Sequence, residues 1–136
     1  MSVADLISAE TNITVALAAI AALFFARQQV RASRETSALE AYEDYHKFAI
    51  EYPQFCTGPN PKNLNDREVF RYIYFVLYIL MVAERIFITV PKRESWIPSI
   101  EEDIRIHKKL ISSEQFSPYL QQEWAISYLI SKVLAE

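Results

Sequence analysis

The chain has 136 residues, of which 51% are hydrophobic, 13% aromatic and 23% charged, and its single cysteine and single glycine are Cys56 and Gly58. One glycine cannot build a glycine-rich phosphate loop or a series of tight hairpins, and one cysteine excludes an internal disulfide and a paired-cysteine zinc or redox motif. The net charge of −3 argues against nucleic acid as a partner, so the composition predicts one α-helical domain with room for a membrane anchor.

An uncharged stretch covers residues 13–26, where Thr14 is the only polar side chain. The nearest flanking charges, Glu10 and Arg27, lie about 25 Å apart along a helix axis, close to the roughly 30 Å of a hydrocarbon core. We therefore expect one membrane span with the apolar side chains Ile13, Leu17, Ile20, Leu23, Phe24 and Phe25. A cleaved signal peptide and a buried or interfacial soluble helix are the alternatives.

Charges are distributed unequally around this stretch. Asp5 and Glu10 precede it, whereas Arg27, Arg31 and Arg34 follow it. The positive-inside rule then places the amino terminus outside and the bulk of the chain in the cytoplasm, at a bacterial inner membrane. Each arginine could also attract anionic lipid by about 1 kcal/mol, although topology alone would explain all three.

No glycine or proline interrupts residues 1–52, so the anchor helix is expected to continue until Pro53 stops it. The expected divisions are an anchor at residues 1–27, a stalk and first bundle helix at 28–52, a loop at 53–66, and the remaining bundle helices at 67–136.

A second helix is predicted to begin near Asn65, where Asn65 and Glu68 have capping-box spacing, and to run through residues 69–90 to the stop at Pro91. Its apolar residues form two stripes. One contains Phe70, Tyr74, Leu77, Met81 and Ile88, and the other contains Tyr72, Val76, Ile79, Ala83 and Ile86. Charges limit the uninterrupted apolar stretch to residues 72–83, so we expect a core helix buried on all sides, with a second span as the alternative.

Two further helices complete the predicted bundle. An inward stripe predicts a third helix, which Ser112 and Ser113 end, with the residues Ile97, Ile100, Ile104, His107 and Ile111. Ser117 as cap and Pro118 as first residue predict the start of a fourth. The expected fold is all-α, with a single N-terminal transmembrane helix that continues into a three-to-four-helix cytosolic bundle.

One spacing suggests a metal site. Glu43 and His46 share a helix face, the arrangement from which carboxylate–histidine sites in bundles are built. Glu84 and His107 could complete a four-ligand set, with Asp103 on the same face as His107. We favour solvated charges and hydrogen-bonded histidines instead, and expect no metal, cofactor or catalytic residue.

Aromatic residues are the other unusual feature. Tyrosine and tryptophan combine apolar area with one polar group, which suits a core or its edge, the interpretation we favour, and also a partner surface. The residues concerned are Tyr72, Tyr74, Tyr78, Trp96, Trp124 and Tyr128.

Several landmarks occur together: the arginines of residues 27–34, then Trp96, residues 113–116, and Trp124 with Tyr128. This pattern resembles a bacterial family of small single-span proteins with a helical cytosolic domain of unknown function. The resemblance implies that topology and fold, and it implies no activity or site.

The expected function is therefore binding. We expect a non-catalytic single-pass protein that serves as an accessory or assembly subunit of a larger inner-membrane complex, with lipid and other subunits or a second copy as partners. One stripe of the second helix would then be partly exposed. The alternatives are a bundle metalloenzyme that uses the Glu43 and His46 face, and a free-standing anchored adaptor.

Overall fold

A computed structural model describes the backbone of residues 3–136 and the side chains from residue 11 onward. The described residues form six α-helices and no strand, which confirms the all-α prediction. The helices are α1 at Val3–Glu51, α2 at Asp66–Thr89, α3 at Ile97–Ile106, α4 at Lys108–Ile111, α5 at Ser117–Leu120 and α6 at Ser127–Ala135. Single turns of 3-10 helix lie at Pro61–Asn63 and Arg93–Ser95.

α1 ends shortly before Pro53, as expected from the restricted backbone of the residue that precedes a proline. The chain divides into two compact units, Met1–Arg34 and Glu35–Glu136, so the second unit begins inside the predicted stalk. In the first unit, the side chains of residues 11–34 are all exposed. The second unit contains the hydrophobic core.

The start of α2 is fixed by the capping box that the sequence predicts. The Asn65 side chain accepts a hydrogen bond from the Glu68 backbone N–H at 3.0 Å, and the Glu68 carboxylate accepts one from the Asn65 N–H, also at 3.0 Å. The helix ends at Thr89, two residues before Pro91. Both predicted boundaries are therefore confirmed.

The core of the second unit is built around the inner face of α2, where Tyr72 and Phe75 are fully buried. Rings from α1 and from the following loop stack on them. The ring centroids of Phe48 and Phe75 lie 5.6 Å apart, and those of Phe55 and Tyr72 lie 5.1 Å apart. Aliphatic residues of α3, α4 and α6 complete this core: Ile100, Ile104, Leu110, Ile111, Leu129, Ile130 and Val133.

The third and fourth helices are shorter than predicted. α3 stops at Ile106 because His107 leaves helical geometry, with φ −97° and ψ 8°, before α4 begins. The fourth helix is two helices, α5 and α6, separated by residues 121–126. Phe116, rather than Ser117, occupies the cap position of α5.

The loop at residues 53–66 packs against the rest of the second unit. Gly58 has φ +63°, a left-handed conformation that favours glycine. A Cβ atom at this position would lie 1.9 Å from the carbonyl oxygen of Ile106. The only glycine of the sequence therefore lies where the loop backbone contacts the end of α3.

Candidate docking surface

α2 presents its two apolar stripes to different surroundings. The inner stripe is buried, with Tyr72, Val76, Ile79, Ala83 and Ile86. The outer stripe, which we call the α2 stripe, consists of Phe70, Tyr74, Leu77, Met81 and Ile88. Leu77 is half-buried, and the other four side chains are 51–63% exposed. The expectation of a helix buried on all sides is therefore wrong, because the described part of the second unit leaves this face open.

Two grooves share residues with the α2 stripe. The larger, of about 440 Å³, is lined by Leu77, Met81, Glu84, Arg85, Tyr119, Gln122 and Trp124. The smaller, of about 220 Å³, is lined by Phe48, Tyr52, Phe70, Arg71 and Tyr74. The apolar surface of the stripe therefore extends into concave regions that can receive side chains of another molecule.

The charged side chains beside the α2 stripe differ in what they already bind. The Glu84 carboxylate accepts hydrogen bonds from the backbone N–H groups of Ala125 at 2.8 Å and Ile126 at 3.2 Å. Arg85 donates to the Ser37 hydroxyl of α1. Arg71 is exposed and makes no hydrogen bond or ion pair with the described side chains. Exposed charges of both signs therefore lie next to the stripe: Arg71, and Asp66 one turn before Phe70.

The tyrosines that the sequence singles out lie in unlike surroundings. Tyr72 is fully buried, and Tyr78 is half-buried with its ring 5.1 Å from that of Phe48. Tyr74 and Tyr128 are each 51% exposed. The first two tyrosines thus belong to the core or its edge, and the other two contribute to the surface.

The two tryptophans are both packed. Trp124 is buried, and its indole N–H donates to the carbonyl oxygen of Tyr119 at 3.2 Å. Trp96 is half-buried and meets the Tyr42 ring edge-on at a centroid distance of 5.2 Å. Trp124 forms one wall of the larger groove, so this side chain serves both the core and the candidate surface.

The alternative metal site does not form. Glu43 and His46 are exposed on α1, whereas Glu84 binds two backbone amides and His107 is buried against Tyr72. A hydrogen bond of 2.9 Å joins Tyr72 Oη and His107 Nδ1. Within residues 11–136, no three His, Cys, Asp or Glu side chains come together as metal ligands would.

Two titratable groups of α3 and its cap are held away from water. Burial lowers the pKa of His107 to about 4. Burial, with a smaller contribution from the charge of Glu102, raises the pKa of Asp103 to about 6. Asp103 lines a cavity of about 10 Å³ together with Tyr42, Tyr45 and Trp96. The sequence shows Asp103 and His107 on one face but gives no sign of this cavity, because most of its other walls come from α1 and α2.

The lone cysteine has the properties of a structural thiol. Cys56 Sγ donates to the carbonyl oxygen of Ala49 at 3.4 Å. Burial raises the pKa of the Cys56 thiol, which keeps the thiolate population low at neutral pH. This environment is that of an unreactive thiol.

The predicted span and the arginines that follow it lie in the first unit. Six apolar side chains of the span are 56–65% exposed: Ile13, Leu17, Ile20, Leu23, Phe24 and Phe25. Arg27, Arg31 and Arg34 are exposed as well. Among the described helices, α1 and α2 are long and apolar enough to cross a membrane, which is coarse support for membrane association.

No protein-family model, curated protein or solved structure matches the chain. Its function therefore has to be inferred from the α2 stripe, the two grooves and the charges beside them.

Proposed function

We propose that this protein is a non-catalytic, membrane-anchored accessory or assembly subunit of a larger inner-membrane complex, and that it contacts that complex through the α2 stripe. The anchor is the apolar part of α1, with the amino terminus outside and the second unit in the cytoplasm. The positive-inside pattern of Asp5 and Glu10 before the span and Arg27, Arg31 and Arg34 after it supports this orientation.

α1 is proposed as the only membrane crossing, although α2 is also long enough. Just over half of the apolar window of α2 is buried inside the second unit, against α3 and the 3-10 turn at Arg93–Ser95. α3 carries solvated charges, including Glu102 and Arg105, which form an ion pair at 2.8 Å. A helix packed on such charged neighbours is better explained as a core helix than as a lipid-embedded one.

The exposure of the α2 stripe is the observation that carries the proposal. Apolar surface costs about 25 cal/mol for each Å² left in water, and soluble domains seldom leave large contiguous apolar patches uncovered. Here four large side chains on one face of α2, spread over about five turns, are more than half exposed. Covering them with another protein removes this cost, whereas an enzyme would need titratable groups that converge in a pocket.

Two carboxylates placed on the stripe test the proposal. The full chain, extracted from its native membrane in mild detergent, is expected to migrate with its complex on native gels. Replacing Tyr74→Glu and Met81→Glu together should lower the bound fraction about tenfold or more, because the complex would bury two unpaired charges. Mass spectrometry of the native band identifies the proteins that migrate with the wild-type chain and shows which of them the double variant no longer binds.

The matched control places the same charges elsewhere on the second unit. Leu39 and Ile50 are apolar, exposed at 44% and 78%, and lie on α1 outside both grooves. Leu39→Glu with Ile50→Glu should leave the complex intact. Equal loss in both double variants, or a wild-type chain that migrates alone, would contradict the proposal, and the second result would favour the free-standing adaptor.

A further inference from the structure

We infer that Arg27 and Arg31 form a binding site for the phosphate group of an anionic phospholipid in the membrane to which α1 anchors the chain. The inference rests on the proposed anchor, and it adds a lipid ligand to the protein partner proposed above. It is carried by three features of the first unit: the face that the arginines share, the groove between two of them, and the absence of a paired carboxylate among the described side chains.

The three arginines that follow the span lie on one face of α1. Arg27, Arg31 and Arg34 are separated by four and three residues, so on a helix they fall within a sector of about 60°. Side chains four residues apart have Cβ atoms about 5–6 Å from each other. The long side chains of Arg27 and Arg31 can therefore bring both guanidinium groups to a single anion.

A groove of about 330 Å³ lies beside these side chains. It is lined by Phe24, Arg27, Gln28 and Arg31, and we call it the arginine groove. Each guanidinium group offers five N–H donors, and the Gln28 carboxamide offers two more. Phe24, a residue of the predicted span, is 65% exposed and supplies an apolar wall. A phospholipid combines the matching parts, because its phosphate oxygens accept hydrogen bonds and its acyl chains are apolar.

No carboxylate compensates these arginines in the described part of the chain. Residues 11–34 contain no aspartate or glutamate, and the next acidic residue, Glu35, forms no ion pair among the described side chains. Like charges four residues apart on a helix repel each other. A shared phosphate removes this repulsion, and guanidinium groups bind phosphate through two parallel hydrogen bonds.

The position of the arginine groove along α1 fits a lipid headgroup. Arg27 directly follows the uncharged stretch at residues 13–26, so a span over that stretch places its guanidinium group near the lipid phosphates. Arg31 lies about 6 Å farther along the helix axis, within the depth of the headgroup layer. Anionic phosphatidylglycerol has no ammonium group that would neutralise its phosphate, whereas zwitterionic phosphatidylcholine has one. The site should therefore prefer the anionic lipid.

Two other anions fit the groove less well. Free inorganic phosphate has no apolar part to contact Phe24. An acidic segment of a partner protein would have to enter the headgroup layer to reach Arg27, at the cost of the hydration of its carboxylates.

Competition between two lipids tests the inference. The full chain is purified in mild detergent and mixed with equal amounts of phosphatidylglycerol and phosphatidylcholine that have the same acyl chains. Native mass spectrometry then counts the lipids that remain bound. We expect one phosphatidylglycerol for each chain, with a preference of about fivefold or more. Arg27→Gln with Arg31→Gln should abolish this preference, whereas Arg34→Gln, outside the groove, should preserve it.

A matched variant separates a defined site from diffuse attraction. Arg31→Ser with Ser33→Arg keeps the net charge and moves one arginine about 3 Å along α1, but about 200° around it. A site in the groove loses its preference in this variant, whereas diffuse attraction retains it. Retention would overturn the inference, as would equal binding of the two lipids by the wild type. Unchanged far-ultraviolet circular dichroism would show that the variants remain helical.

Extraction of membranes with alkaline carbonate separates this inference from the proposed function. Release of the wild-type chain would contradict the proposed anchor and the lipid site together. Retention in the membrane without a preference for phosphatidylglycerol would overturn only the lipid site. Loss of the native complex in Arg27→Gln with Arg31→Gln, when the wild type shows no lipid preference, would assign the arginines to a protein partner instead.

Discussion

Asp103 and His107 lie one turn apart and respond to burial with opposite changes in pKa, because water stabilises the charged form of each group. The neutral forms of both groups are favoured, so the Asp103 pKa rises to about 6 and the His107 pKa falls to about 4. Asp103 faces Tyr42 and Tyr45 of α1 at the small cavity, and His107 bonds to the Tyr72 hydroxyl of α2. The protonation of Asp103 is therefore coupled to its packing against α1, and the protonation of His107 to its packing against α2.

As the pH falls, protonation of these two groups should have opposite effects on the stability of the fold. The Asp103 carboxyl binds its proton more readily in the folded state, so acidification from pH 6 to 3.8 stabilises the fold. His107 binds its proton less readily when folded, so acidification from pH 6.5 to 4 destabilises it, by about 3 kcal/mol in total. The Asp103→Asn variant retains only the second effect. Its free energy of unfolding should fall more steeply than that of the wild type across this window, as measured by urea unfolding with tryptophan fluorescence.

The reciprocal variant serves as the control. His107→Gln keeps a polar partner for Tyr72 and leaves only the Asp103 effect, so its stability relative to the wild type should rise as the pH falls from 6 to 4. If the free energy of unfolding depends on pH in the same way in the wild type and in both variants, neither group is as buried as the structure indicates.

Local patterns predict some element boundaries well and others poorly. The capping box of Asn65 and Glu68 involves residues three apart, so the sequence alone locates the start of α2. The gap between α5 and α6 depends instead on Glu84, a residue of α2 that bonds to Ala125 and Ile126. Periodicity cannot reveal a contact across more than 40 residues of sequence. The candidate surface shows the same limit, because both stripes of α2 look alike until the packing of other helices separates them.

The link from Glu84 to α6 can be tested by removing its acceptor oxygens. Glu84→Ala leaves the Ala125 and Ile126 N–H groups without this partner, so the free energy of unfolding should drop by about 1–3 kcal/mol. Glu84→Gln retains one acceptor and should lose less. Amide exchange at residues 125–128 should accelerate in the alanine variant before global unfolding does.

Glu114→Ala is the matched control, because Glu114 is exposed and makes no hydrogen bond or ion pair with the described side chains. Equal losses of stability at positions 84 and 114 would mean that the carboxylate of Glu84 does not hold the start of α6.

At the scale of the whole chain, composition and periodicity predict the helical class and the apolar stretch at residues 13–26, and the structure confirms the all-α fold. The scarcity of glycine and the helical spacing of the apolar residues are enough for that result. The proposed orientation in the membrane rests on charge asymmetry, a property of the sequence that operates during insertion rather than through packing.

Cysteine labelling tests this orientation in a Cys56→Ala background, which removes the native thiol. Ser2→Cys should react with an impermeant maleimide from outside the cell. Glu43→Cys, on an exposed turn of α1, should react only after permeabilisation. Equal outside labelling at both positions would contradict a single crossing with the amino terminus outside.

The packing of α3 against α6 determines when this domain can form during synthesis. α6 ends at Ala135, 29 residues after the end of α3 at Ile106, so a ribosome adding about 5–20 residues per second reaches it a few seconds later. During that interval the core lacks Leu129, Ile130 and Val133 of α6. Closure of the domain therefore waits for α6, and for those seconds the nascent chain has α2 and α3 without the helix that completes their core.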